Sequence, residues 1–248
     1  MRISIANMVK KHNWLYGGLS VFLLILVWQV AGFNVNNRTL LPYPIDVVNA
    51  MSTILTTTST YQILLYSFFR LTTAIIIAGL LGISFGLVAG FSRTVSSFFQ
   101  PLVTSLRTVP VASIIVVVLI LFGSSKAIYI ITFVMLFPIL FEATKQGVLN
   151  IDQSLIEALS LEQKRTAFTL VNMFFPLSIP YIKTGILQSI GLGFKVLVMS
   201  EFIAQSPKSI GNALYMGRIN FMYDHVFAWT IIIIFIVIMI ERLVNRLN

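Results

Sequence analysis

The feature that most limits this chain is a stretch without charge. Between Arg70 and Arg93 no residue carries an ionised side chain, and most are apolar. A helix needs about 20 mainly apolar residues to cross a bilayer, and this run supplies them. Similar runs recur along the sequence. Six candidate spans follow: 14–33, 63–91, 98–122, 127–146, 177–204 and 226–243. Only 10% of the 248 residues are charged, against about a quarter in an ordinary soluble domain. Eight acids and 17 bases cannot cover the surface that a soluble fold of this length turns to water. The expected fold is an all-α integral membrane protein with six transmembrane helices, a single membrane domain over residues 1–248.

Arg2, Lys10 and Lys11 precede the first run. Its apolar part is longer than a signal-peptide core, and no small-x-small cleavage site follows it, so it reads as an uncleaved span. Six spans place both termini on one side. On that side fall Arg2, Lys10, Lys11, Arg93, Arg107, Lys145, Lys164, Arg165, Lys183, Arg242 and Arg246; on the other fall Arg38, Lys126, Lys208 and Arg218. Basic residues accumulate on the cytoplasmic side, so both termini and the 150–172 segment are expected in the cytoplasm. The same distribution disposes of a nucleic-acid reading of the +9 net charge, because the bases lie between apolar runs, at lipid headgroups. There is no cysteine, which removes disulfides and thiol chemistry. His12 and His225 stand far apart and form no metal motif. No cluster of acids, histidines or serines gathers at one depth, so neither a catalytic nor a metal site is expected.

Leu41-Pro42-Tyr43-Pro44 fixes an extended approach, after which 45–56 can form a short amphipathic helix. In the second span Ala74, Ala78, Gly82, Gly86 and Gly90 recur every fourth residue, so they share a face that lets another helix approach closely in lipid. That face suits packing within the subunit or a contact at a mobile centre. Residues 150–172 form the longest polar stretch. Ser154 and Glu157 have capping-box spacing. Leu155, Ala158 and Leu159 give one apolar face, and Phe168, Val171 and Phe175 a second, which Pro176 is expected to end. Such a stripe on a cytoplasmic loop either docks on a soluble partner or folds back on its own bundle.

Glu157-Ala158-Leu159, then Gln163, then Met173-Phe174-Phe175-Pro176, resembles the EAA motif of binding-protein-dependent importer permeases. Glu157, Ala158 and Pro176 match it in spacing; Gln163 stands where the motif has glycine. Further resemblances extend over nearly the whole chain: Leu41-Pro42-Tyr43-Pro44, Ser67-x-x-Arg70, Leu106-Arg107-Thr108-Val109-Pro110, Phe122-Gly123, Ser200-Glu201 and Ile210-Gly211. Together they are similar to the nitrate, sulfonate, taurine and thiamine-precursor branch of ABC importers. The resemblance implies a type I ABC importer-like bundle in a bacterial-type inner membrane. A cytoplasmic coupling helix between spans 4 and 5 would carry Glu157, Ala158, Leu159, Glu162 and Gln163. It also implies partners: two ATP-binding subunits, a second permease copy as a homodimer or a paralogue, and an extracytoplasmic substrate-binding protein. The solute would be a small anion or small heterocycle. The chain has no Gly-x-x-x-x-Gly-Lys-Ser/Thr loop, so no cofactor is expected in it; ATP and magnesium belong to the partners, and the chain is not itself an enzyme. A stand-alone channel or secondary transporter is the alternative, but neither a filter nor broken-helix pairs in inverted halves stand out.

Charges at membrane depth are costly and are functional candidates by default. Arg107, Lys195 and Glu201 are therefore candidate substrate-path residues. Lys195 can alternatively snorkel to the outer interface, and Glu201 can hold the outer loop. Arg70 reads as a snorkelling or interhelical residue.

Overall fold

The computed structural model describes the backbone of residues 2–152, 154 and 169–246, and the side chains of these except 2–15 and 245. The coupling candidates Glu157, Ala158, Leu159, Glu162 and Gln163 lie outside the described residues. Eight α-helices are described: α1 (Arg2–Val35), α2 (Pro44–Thr56), α3 (Thr58–Phe91), α4 (Arg93–Thr108), α5 (Val111–Leu149), α6 (Phe175–Ala204), α7 (Ile210–Ile219) and α8 (Tyr223–Arg246). Among the described residues, five stretches are long and apolar enough to cross a membrane: Tyr16–Val35, Thr58–Phe91, Val111–Leu149, Leu170–Ala204 and Tyr223–Val244. By contacts the chain divides into two units, 1–60 with 216–232, and 61–215 with 233–248.

In the smaller unit the Leu-Pro-Tyr-Pro run does what its prolines dictate. Tyr43 is extended (φ −71°, ψ 156°), Pro44 opens α2, and Asp46 reaches back to accept the Tyr43 N–H at 3.1 Å. Val47, Ala50 and Ile54 form the buried stripe of α2. Trp28 on α1 donates to the Pro42 carbonyl at 3.0 Å and stacks on Phe227. The Tyr43 ring lies against Gly32, where a Cβ would come within 2.7 Å of it.

In the larger unit α3 and α5 meet along the small-residue ladder. Ala74 and Ala78 are buried. A Cβ at Gly82 would stand 2.9 Å from Leu140 Cβ, at Gly86 2.6 Å from the Phe141 carbonyl oxygen, and at Gly90 2.5 Å from Val148 Cβ. The ladder is therefore a packing seam within the chain. Gly185 and Gly147 do the same between α5 and α6, against Ala143 and Ser178. Phe99 of α4 packs with Phe137 and Phe141 of α5.

Two stretches differ from the sequence expectation. The third span, expected over 98–122, is interrupted: α4 ends at Thr108, and Val109 (φ −66°, ψ 133°) is extended. Pro110 explains this, since its ring drives the preceding residue out of helical space. The second concerns Pro176. The helix does not end there but runs on to Ala204, after a π-helical turn over Leu170–Phe174. Pro176 sits in the first turn of α6, where the missing N–H costs least. α5 has 39 residues, about 58 Å if straight, twice the hydrocarbon thickness of a bilayer. It is not continuous: Gly123 has φ 70° and ψ 167°, a conformation essentially reserved for glycine.

Candidate functional site: a polar face and a buried carboxylate

α6 turns two faces in different directions. Ser178, Ile182, Gly185, Ser189, Gly193, Val196 and Ser200 are buried. Tyr181, Thr184, Gln188, Leu192, Lys195 and Met199 are exposed. The exposed set repeats at three- and four-residue steps and falls within roughly 80° of the helix circumference. Thr184 donates to the Pro180 carbonyl at 3.0 Å, but the Gln188 amide and the Lys195 ammonium are costly against lipid. Polar side chains at membrane depth face a bundle interior or water. This polar face is therefore suited to a path, and the sequence reading caught only Lys195 on it. The 3–4 spacing of Tyr181, Thr184, Gln188 and Lys195 was the available signal.

Arg107 comes from the last turn of α4 and is exposed. With Glu142 and Gln146 of α5 and Tyr181, Thr184 and Gln188 of α6 it lines a cavity of about 390 Å³. Glu142 accepts a bond from Gln146 at 2.9 Å. Lys145, buried, donates to Gln100 of α4 at 2.8 Å and stands 3.8 Å from Glu142. These contacts hold α4 against α5 at the depth of the cavity. Lys195 does not line the cavity but lies further along the same face.

Glu201 sits differently. Its side chain is completely enclosed, and both carboxylate oxygens are engaged. Arg70 Nη1 of α3 donates to Oε1 at 2.9 Å. The Ser67 hydroxyl, also of α3, lies 2.9 and 3.0 Å from the two oxygens. The Gly211 N–H of α7 donates to Oε2 at 3.2 Å. Ser67 Oγ in turn accepts the Ile210 N–H at 3.1 Å. Glu201 thus faces protein on every side rather than an opening, and Arg70 is interhelical rather than snorkelling. Sequence reading named the Ser67-x-x-Arg70, Glu201 and Gly211 motifs separately; it did not join them.

Asp152 and Ser154 stand at the start of the 150–172 segment. Asp152 Oδ1 accepts the Ser154 N–H at 2.9 Å and the Ser154 hydroxyl at 2.8 Å. These two bonds, the backbone one first, hold the Asp152 carboxyl below its ordinary value.

Long apolar helices with a polar face on one of them describe a polytopic membrane transport subunit. The chain belongs to the family of binding-protein-dependent transport system inner membrane components, whose model matches residues 78–248. It is 27% identical over 226 residues to the SsuC permease of Bacillus subtilis, named for aliphatic sulfonates transport, covering 90% of this chain and 81% of that one. It is 24% identical over 242 residues to the bicarbonate transport system permease CmpB of Synechococcus elongatus (83% and 84% covered). It is 29% identical over 194 residues to the taurine transport system permease TauC of Escherichia coli (75% and 70%). The resemblance carried by the sequence motifs is thereby borne out. These relatives are permeases, transport components rather than enzymes.

Proposed function

We propose that this chain is the path-forming subunit of an ATP-driven importer for a small anionic solute. The observation that carries the reading is the polar face of α6, continued by Arg107 into the cavity beside α4 and α5. A second permease copy, opposing this face, would close the path between the two subunits. Lys195 and Arg107 supply positive charge along it, which suits an anion; relatives named for sulfonates, bicarbonate and taurine support that class. Glu201 is assigned away from the path because it has no exposed surface.

The topology in this reading has six crossings. Gly123 divides α5 into two spans, so that α4 with Val111–Phe122 makes the third and the remainder of α5 the fourth. Both termini and the 150–172 segment are then cytoplasmic, in line with the bias in basic residues. Two ATP-binding subunits, which carry ATP and magnesium, receive the segment containing Glu157, Ala158, Leu159, Glu162 and Gln163. A binding protein delivers solute on the opposite face.

Reconstitution with its ATP-binding subunit and binding protein in proteoliposomes tests the reading. Solute should accumulate only with ATP and binding protein present; ATP-independent flux through the permease alone would sink it. Glu157→Lys should insert normally yet lose at least about tenfold in transport, as a charge reversal across a docked contact costs more than 1.4 kcal/mol. Normal transport by that variant would remove the coupling assignment. A ligand screen of the cognate binding protein identifies the solute.

A further inference from the structure

α7 begins in an unusual way for a helix of ten residues. The first N–H groups of a helix have no partner within it. Here the Ile210 N–H goes to Ser67 of α3, the Gly211 N–H to Glu201 of α6, and the Asn212 N–H to Ser209. Two of the three caps come from other helices. The approach is close: a Cβ on Gly211 would stand 2.3 Å from the Phe202 nitrogen and 2.5 Å from Glu201 Cβ. Between α6 and α7 the chain turns through Gln205 (φ 50°) and Lys208 (φ 51°), and Ser206 and Ser209 are buried in that turn.

A buried ion pair is a poor way to gain stability, since an apolar contact of equal volume holds helices as well or better. What an apolar contact cannot do is satisfy helix N–H groups and so fix where and at what angle α7 starts. Arg70 holds the carboxylate in its aim, and Ser67, bonded to it, accepts the Ile210 N–H in turn. The carboxylate is needed at position 201 in particular, because an acceptor there is what Gly211 requires.

We propose that Ser67, Arg70 and Glu201 are positioning residues that fix the start of α7, and that this attachment transmits the binding protein's arrival to the spans. The inference rests on the functional reading above, in which the loop between α6 and α8 lies on the side where the binding protein docks. Fixing α7 to α3 and α6 joins the outer surface to the helix that carries the polar face. A loosely attached α7 would absorb the docking strain instead of passing it on.

The test uses the complete complex with its ATP-binding subunit in proteoliposomes, reading basal and binding-protein-stimulated ATP hydrolysis separately. Glu201→Gln preserves volume, but its amide keeps an acceptor for only one of Arg70 and Gly211 and turns an NH2 donor toward the other. It should leave basal hydrolysis within about twofold and lower the stimulated increment by about tenfold, the effect of losing one bond to a charged group. Ser67→Ala, which leaves no unpaired charge, should lower it by about threefold and serves where Glu201→Gln fails to assemble. The exchanged pair Arg70→Glu with Glu201→Arg keeps both charges but removes the acceptor from Gly211, and it should remain defective. Restoration of stimulation by the exchanged pair would overturn the proposal, because a plain ion pair would then suffice. So would basal and stimulated hydrolysis falling in parallel, which marks a merely structural role. A wild-type complex that ignores its binding protein would instead bring down the functional reading, and this inference with it.

Discussion

A Cβ on Gly86 would stand 2.6 Å from the Phe141 carbonyl oxygen, an atom of a helix backbone that cannot rotate away. Gly79 lies on the same helix with nothing within 4 Å of the equivalent position. Gly86→Ala should therefore destabilise the subunit by about 1–3 kcal/mol, while Gly79→Ala should be neutral or gain up to about 1 kcal/mol from helix propensity. Thermal unfolding of the two variants in detergent checks the pair; equal midpoints would contradict the seam. This seam was legible, because four-residue spacing of small side chains puts them on one face whatever they meet. The buried carboxylate was legible only in part. A glutamate near the end of an apolar run signals a cost that something offsets. Nothing local reveals that the partners Ser67 and Arg70 lie 134 and 131 residues away, since the connection exists only once α3 and α6 have packed.

Elements with breaks are where sequence and structure part most. Pro110 forced Val109 out of helical space, and the proline was visible in the sequence. The single span expected over 98–122 nevertheless runs through it, where the fold has two helical pieces. The break at Gly123 was legible in position, since the expected third span ends at 122 and the fourth begins at 127; its conformation, φ 70° and ψ 167°, was not. With no atom within 4 Å of a Cβ placed there, the cost of Gly123→Ala is a backbone cost alone, about 1–3 kcal/mol. The variant should lower the unfolding midpoint without any change at neighbouring packing positions. Unchanged stability would mean that the break at Gly123 is not held in this conformation. The π-helical turn before α6 was also silent in the sequence, which marked Pro176 as a terminus rather than a first-turn residue.

For the whole molecule, the membrane class followed from length, hydropathy and the scarcity of charge, and the family from motifs spread along the chain. The five apolar helices leave the number of crossings to be measured, and the absence of cysteine makes that direct. Single cysteines at Lys126 and Lys208 should react with an impermeant thiol reagent on intact cells, whereas cysteines at Arg93 and Asn150 should react only after permeabilisation. All four positions are exposed in the isolated chain. Labelling of position 126 from the cytoplasmic side would eliminate a crossing between Gly123 and Asn150. The glycine seam carries a last implication, for motion. At Gly86 the neighbour is a carbonyl of α5 rather than a pliable side chain, and at Gly90 the tooth is the β-branched Val148. Such a joint works like a rack and pinion with the pinion locked: α3 cannot creep past α5 by a fraction of a residue step without collision. In the importer reading proposed above, any change of access carries α3 and α5 as one block, with the stroke taken up at the edges of that block.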